Sequence, residues 1–343
     1  MLRHQSNPTD KFPSDRTDIP MNLGILTCPT IPETAPSHCL LCGSPAKQVL
    51  RNCFDTRFGI AETFDIHVCS RCELHQTSPR PSPEVLRDYY EKYYNFSGES
   101  GTTYTSRRER FLKSKLYTLW LLMDGDVSFH ARRGQGRLLD YGCNEGRGLM
   151  RYQANGYEAE GLELNPRAAQ SARSLGFKVW VDTLDQVHPA QPYNVIVLSN
   201  VLEHALDPRQ MLTQARSLLS EKGELWISCP NYRSLWRLVF GAYWINWHVP
   251  FHVAHFSLDN LRSILAETGF KIEFVQQATP ALWLTQSLMA ALFAKRGNPT
   301  WQLRSAPLVI LFMLLFRGIL FPILWFSNRR GRGDCLVLRA RKA

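Results

Sequence analysis

Two cysteine pairs share one spacing: Cys39 and Cys42 flank two leucines and precede Gly43, and Cys69 and Cys72 flank Ser70 and Arg71. Twenty-six residues lie between the pairs. A two-residue gap lets a tight knuckle aim both thiolates at one ion, and two such knuckles close a tetrahedron around Zn2+. Four thiolates leave no position open for water, so this metal is expected to be structural. Gly43 supplies the turn after the first pair, whereas Glu73 stands where a glycine would turn more freely after the second. Cys53 falls between the pairs without a partner and reads as a core thiol.

A second constellation runs from Leu138 to Gly146 (LLDYGCNEG). It sets Asp140 at a strand end, then a tight loop, then a helix. Such a loop lets backbone N–H groups approach a ligand closely, and the helix N-terminus favours a carboxylate or phosphate. Glu163 lies 23 residues beyond Asp140, at the end of the next apolar run, where a carboxylate accepts both hydroxyls of a ribose. The loop lacks the G-x-G-x-x-G register of a nicotinamide-binding turn. Histidines form the third set: His204, then His248, His252 and His255 after Trp244 and Trp247. Imidazole suits a general base at neutral pH, and His252 is the leading candidate. His204 is the second, although it more readily packs to order the loop of Leu202, Glu203 and His204, as His255 orients the loop before the helix cap Ser257. The spacing of the histidines with Cys143 or Cys229 fits no tight metal site.

The elements that must carry these residues follow from hydrophobic pattern. Short apolar runs at 137–141, 158–162, 178–181, 194–199 and 224–229 alternate with helical patterns such as 166–175 and 208–219, which predicts βα units on a parallel sheet. Two further strands are expected at 271–275 and 334–339. The division expected is a disordered leader over 1–38, a zinc-ribbon-like module over 39–83, a helical linker over 84–130 and a main domain over 131–343. The linker includes a helical run at 106–123. Six of the twenty prolines fall in the leader, among Ser, Thr and Asp without a sustained apolar period.

Composition narrows the classes. With 343 residues and 44% hydrophobic side chains, the chain can bury a full core, so disorder throughout is excluded. Residues 1–10 carry no apolar signal segment, which leads us to expect a reducing, cytoplasmic setting and no disulfide framework. The formal charge is +10, yet from Asn328 onward six basic residues face only Asp334. Half of the imbalance therefore sits beside an apolar stretch, where anionic lipid competes with nucleic acid as partner.

Together with the 193–204 run (YNVIVLSNVLEH), Asp207-Pro208, the 219–231 run (LSEKGELWISCPN) and the helix opened by His255, Phe256 and Ser257, these motifs resemble the class I S-adenosylmethionine-dependent methyltransferases. The resemblance is to the branch with an N-terminal zinc-ribbon-like module. It implies a Rossmann-like α/β fold with a seven-stranded sheet, mostly parallel with the last strand antiparallel. It implies further that Asp140, Gly142, Asn144 and Gly146 form the methionine-side loop, with Asn144 where the family usually has glycine. Glu163 would take the ribose, Asp182 or Thr183 would lie near the adenine, and Asn200 and Val201 would border the sulfonium.

A hydrophobic helical insertion is expected over 280–327, before a closing strand at 334–340. Its segment 306–326 is apolar except for Arg317 and is interrupted by Pro307, Gly318 and Pro322. Although 21 residues suffice for about 30 Å of hydrocarbon, the closing strand must return to the side of its sheet. Two short helices dipping into one leaflet satisfy both conditions, with Trp301, Trp325, Arg304, Arg329 and Arg330 at the interface. A helix pair buried under a lid or in a dimer contact is the alternative. These features point to a methyltransferase bound peripherally or monotopically at the cytosolic face, acting on an oxygen of a glycan or lipid-linked glycan. The alternatives are carbon methylation of a nucleotide-linked sugar, or a nucleic-acid-binding protein with a degenerate methyltransferase fold. The sugar enzymes carry a further large C-terminal domain, whereas this chain ends soon after its sheet closes.

Overall fold

The computed structural model describes residues 38–93 and 114–343; the expected leader, apart from His38, and the start of the helix expected at 106–123 lie outside the described residues. Strands β1 (Ala46–Phe54), β2 (Thr63–Cys69) and β3 (His75–Ser78) come first, followed by helices α1 (Pro83–Tyr93) and α2 (Lys115–Asp124). The alternating region contains β4 (Gly136–Tyr141), α3 (Arg147–Ala154), β5 (Tyr157–Leu162), α4 (Pro166–Ser174), β6 (Val179–Trp180), β7 (Tyr193–Ser199), α5 (Pro208–Leu218) and β8 (Leu219–Pro230). After it come α6 (Leu235–Phe240), β9 (Ala254–His255), α7 (Leu258–Glu267), β10 (Phe270–Ala278) and α8 (Ala281–Phe293). The chain closes with α9 (Ala306–Ile319), α10 (Phe321–Arg329) and β11 (Cys335–Lys342).

The helices start where side chains can satisfy the first free N–H groups. Asn165 accepts from Arg167 N and Ala168 N ahead of Pro166, Asp207 accepts from Gln210 N ahead of Pro208, and Ser257 and Asn260 form a reciprocal capping box.

The large sheet has the order β10-β11-β8-β7-β4-β5-β6. Only β11 runs against its neighbours, as the resemblance implies. Its central strands are buried on both faces, which is why they read as continuous apolar runs. Leu139, Ile196, Leu225 and Leu338 pack with Leu212, Leu261 and Ile264 on one side. Their neighbours Leu138, Val197, Trp226 and Val337 pack with Phe129 and Tyr152 on the other. From β4 the chain winds outward through β5 to β6 and then returns to β7 on the opposite side of β4, leaving a crevice at the C-terminal ends of β4 and β7.

The small sheet has the order β1-β2-β3-β9, and its last strand comes from the main domain: His75 pairs with His255 and Gln76 with Ala254. Thr77 Oγ1 donates to His252 O at 2.6 Å, and Asn260 Nδ2 donates to Cys72 O at 2.6 Å. The described residues consequently form one compact unit.

Near the C-terminus, α9 and α10 meet at a bend of 72°. Leu324, with Phe316 and Leu320, packs on Trp236 and Leu284, while Ile310, Leu314, Ile319, Phe321, Ile323 and Trp325 face outward. Asp124 joins this assembly to α2, accepting from Ala281 N at 2.9 Å and lying 3.8 Å from Arg317.

Candidate active site and metal centre

Strand register brings the loop after β4 against the ends of its neighbours, since Asp140 sits opposite Gly161 on one side and Val197 on the other. Gly142 N and Cys143 N donate to Leu162 O at 2.8 and 3.3 Å, pinning the loop to the end of β5. The Glu163 carboxylate is buried and held from two directions: Asn144 N–H donates to Oε2 at 2.9 Å and Asn165 N–H donates to Oε1 at 2.8 Å. Each oxygen retains acceptor capacity beyond that one bond.

Gly142 has φ +77°, and a Cβ there would lie 3.1 Å from Val201 Cγ2. The loops after β4 and β7 therefore face each other closely at Gly142, where both the positive φ and the tight approach favour glycine. Asn144 takes the left-handed backbone, φ 49°, that its place in the loop demands. Asn200, φ 54°, donates its N–H to Ser228 O at 2.9 Å, and its buried Oδ1 has no hydrogen-bond partner. Asp140, Gly142, Asn144, Glu163, Asn200 and Val201 thus gather at the crevice, while Gly146, φ 83°, opens α3 with its Cβ position against Ala172 of α4. Asp182 and Thr183 stand two strands out, exposed after β6, where Thr183 N–H donates to Asp182 Oδ1 at 2.8 Å.

Burial, reinforced by the negative charge of Glu163, pushes the Asp140 carboxyl from its ordinary 3.8 up to about 8. The sign of the resulting pH dependence is fixed. The folded chain keeps this proton over a range in which the unfolded chain has lost it, so the contribution to stability is present below about pH 4 and lost as pH rises toward 8. Asp140→Asn is therefore expected to gain on the wild type steadily between about pH 4 and pH 8 in cofactor-free melting curves. A difference in melting temperature that stays constant over that window would contradict it.

Shortly after Val201 the chain enters a cluster the sequence only partly reveals. Glu203 is 1% exposed, neither carboxylate oxygen has a hydrogen-bond partner, and burial pushes its carboxyl up to about 8. His252 Nδ1 donates to Asn246 O at 2.8 Å, leaving Nε2 3.9 Å from Glu203 Oε1. The His204 ring stands perpendicular to that of His252, with centroids 4.6 Å apart, and its Nδ1 is 2.8 Å from the Tyr90 hydroxyl. Burial lowers His204 to about 4 and His252 well below its ordinary value, so both are neutral at pH 7. Glu203, His204 and His252 each offer one ligand atom, all within 4.8 Å of one another. Glu203 and Tyr90 were not singled out from sequence; the only signal is a glutamate wedged between an apolar strand and a histidine. Cys143 and Cys229 are not members of this group.

The four expected cysteines converge. Cys39 Sγ lies 3.4 Å from Cys72 Sγ, and Cys42 Sγ lies 3.4 Å from Cys69 Sγ and 3.7 Å from Cys72 Sγ. Zn–S bonds of about 2.3 Å span sulfur separations of about 3.8 Å in a tetrahedron, so the donor set suits zinc. Backbone N–H groups of Leu41 and Arg71 point at Cys39 and Cys69, and both knuckles use a left-handed turn residue, Gly43 at φ 70° and Glu73 at φ 57°. Cys53 is buried with Phe64, Ile66 and Trp244.

The sequence model described as "Methyltransferase domain" matches residues 104–275, half of the chain. Among solved structures, an S-adenosylmethionine-dependent methyltransferase from Mesorhizobium loti is similar at 16% identity, covering 64% of this chain and 100% of that one with a TM-score of 0.42. The cyclopropane synthase MmaA2 from Mycobacterium tuberculosis is similar at 18% identity, covering 70% and 90% with a TM-score of 0.44. A possible histamine N-methyltransferase from Thermotoga maritima is similar at 18% identity, covering 68% and 98% with a TM-score of 0.42. No curated protein matches. Strand order, the single reversed strand and the family match agree, and the chain belongs to the class I S-adenosylmethionine-dependent methyltransferases.

Proposed function

We propose that this methyltransferase acts on an oxygen of a glycan or lipid-linked glycan while seated on the cytosolic face of a membrane, with structural zinc at Cys39, Cys42, Cys69 and Cys72. When bound, S-adenosylmethionine supplies a methyl group on a sulfonium. The crevice fits it: Gly142 leaves open the space a Cβ would fill, and Asn200 Oδ1 is a buried acceptor without a donor. Glu163 accepts the ribose hydroxyls, the loop from Asp140 through Asn144 to Gly146 holds the methionine end, and Asp182 or Thr183 borders the adenine. Asn200 and Val201 flank the place where the acceptor must approach. His252, whose Nδ1 is committed to Asn246, can take a proton only at Nε2 and only while that nitrogen carries no other ligand, and His204 stands beside it.

The observation that carries the membrane reading is the bent pair α9–α10. No single helix among the described residues is long and apolar enough to cross a membrane. The pair nevertheless exposes an apolar outer face, and β11 pairs with β8 and β10 directly after it. Both ends of the hairpin therefore lie on one side. Arg317, the charge within the apolar stretch, turns inward to Asp124. At the flanks, Arg304 lies over Trp301 at 4.7 Å, Arg329 over Trp325 at 4.5 Å and Arg330 over Phe326 at 4.5 Å, a pairing suited to lipid headgroups.

Mass spectrometry of membrane glycolipids tests both halves, comparing cells with the gene, without it, and with residues 306–326 replaced by a short flexible linker. One methyl mass is expected to disappear from a glycolipid in the last two, while the purified deletion protein still binds S-adenosylmethionine. Unchanged spectra without the gene would sink the acceptor assignment. Full methylation by the deletion protein would favour the buried helix pair.

A further inference from the structure

We propose that Glu203, His204 and His252 hold a divalent metal ion of the zinc or ferrous class beside the cofactor crevice, separate from the four-cysteine site. Three ligand atoms, one carboxylate oxygen and two imidazole nitrogens, already lie within 4.8 Å of one another. The carboxylate is the decisive member. Glu203 is 1% exposed, yet neither oxygen receives a hydrogen bond, and His252 Nε2, 3.9 Å away, is neutral and too far to donate one. A buried carboxylate in that condition lacks the compensation that folded proteins normally provide, and a cation between it and the two rings supplies it.

The rings are held as metal ligands are. His252 is fixed at Nδ1 by Asn246 O, which turns the lone pair of Nε2 toward Glu203. His204 is oriented by the Tyr90 hydroxyl at Nδ1, 2.8 Å away, and the two rings stand at 89°. Such outer hydrogen bonds set the tautomer and direction of ligating imidazoles. Two imidazoles with one carboxylate suit zinc or ferrous iron and, unlike four thiolates, leave positions open. Glu203 and His204 come one residue after Asn200 and Val201, separated from them by Leu202 alone, so the site belongs to the same loop that borders the crevice.

The role of the ion rests on the oxygen-acceptor reading, although the site does not, and with Nε2 of His252 on the ion that nitrogen is a ligand and no longer the base. An acceptor hydroxyl bound to the ion has a lowered pKa, so its O–H bond breaks with the proton passing to water, and the oxygen keeps the electron pair.

The test uses the full chain loaded with Zn2+ or Co2+ and desalted, as wild type, Glu203→Gln and His252→Ala. Elemental analysis is expected to find one metal equivalent fewer in each variant than in the wild type. In the cobalt proteins, visible bands lacking thiolate charge transfer are expected to vanish from the variants, with the thiolate bands kept. Equal metal content in all three proteins overturns the proposal. Should both variants fail to fold, the wild-type cobalt spectrum decides, and one showing thiolate bands alone overturns it. A one-equivalent difference alongside unchanged cellular glycolipids would sink the acceptor reading and leave the site standing.

Discussion

Removing the four-thiolate metal, by chelation or by the paired change Cys39→Ser and Cys72→Ser, is expected to lower stability by about 5 kcal/mol or more, as ligation free energy is folding free energy in small metal modules. Around the knuckles themselves little is buried beyond Cys39, Cys69 and Leu74, whereas the apolar contacts of the small sheet, Cys53, Phe64 and Ile66 on Trp244, Trp247 and Val249, lie farther along its strands. The damage should spread. Leu40 N–H donates to Gln76 Oε1 and Asn260 Nδ2 to Cys72 O, so the knuckles anchor both β3 and the start of α7. Melting curves recorded with metal analysis check this. Purified protein without zinc, or a doubly substituted protein that retains zinc and melts like the wild type, would sink the site.

Glu163→Ala is expected to weaken S-adenosylmethionine binding by about 1.5 to 3 kcal/mol, the range for losing a hydrogen-bonded charged group, which corresponds to roughly 10- to 150-fold in affinity. The substitution removes the acceptors for the ribose. It also leaves Asn144 N–H and Asn165 N–H without their shared carboxylate, so two loops lose the group that ties them together. Gly142→Val should act by a different route, forcing a β-branched residue into φ +77° with its Cβ against Val201. Calorimetric titration giving wild-type affinity for both variants would refute the placement of the cofactor.

The central strands were legible because burial on both faces writes them as unbroken apolar runs, and 194–199 and 224–229 fall within β7 and β8. The run at 178–181 shrinks to Val179–Trp180, since only Gly161 and Leu162 on β5 offer it partners. The cysteine spacing carried its geometry locally, and Asp140 and Glu163 were marked by their place after strands. Strand β9 left no trace in the pattern, as two residues set no period and their pairing depends on a distant edge. Glu203 escaped notice for a related reason. Burial of a charged side chain is decided by what closes over it, here the 246–252 segment, and nothing adjacent in sequence reports that.

Pairing of β3 with β9 also orders events during synthesis. Thr77 and His252 are 175 residues apart along the chain, so at ribosomal rates of about 5 to 20 residues per second the edge of β3 waits roughly 10 to 35 s for its partner. Over that interval the cysteine knuckles are already outside the ribosome and can load metal, but the sheet they support has one unpaired side. The N-terminal module is thus begun first and finished late, and a nascent chain stalled before residue 254 would present that edge to any other strand.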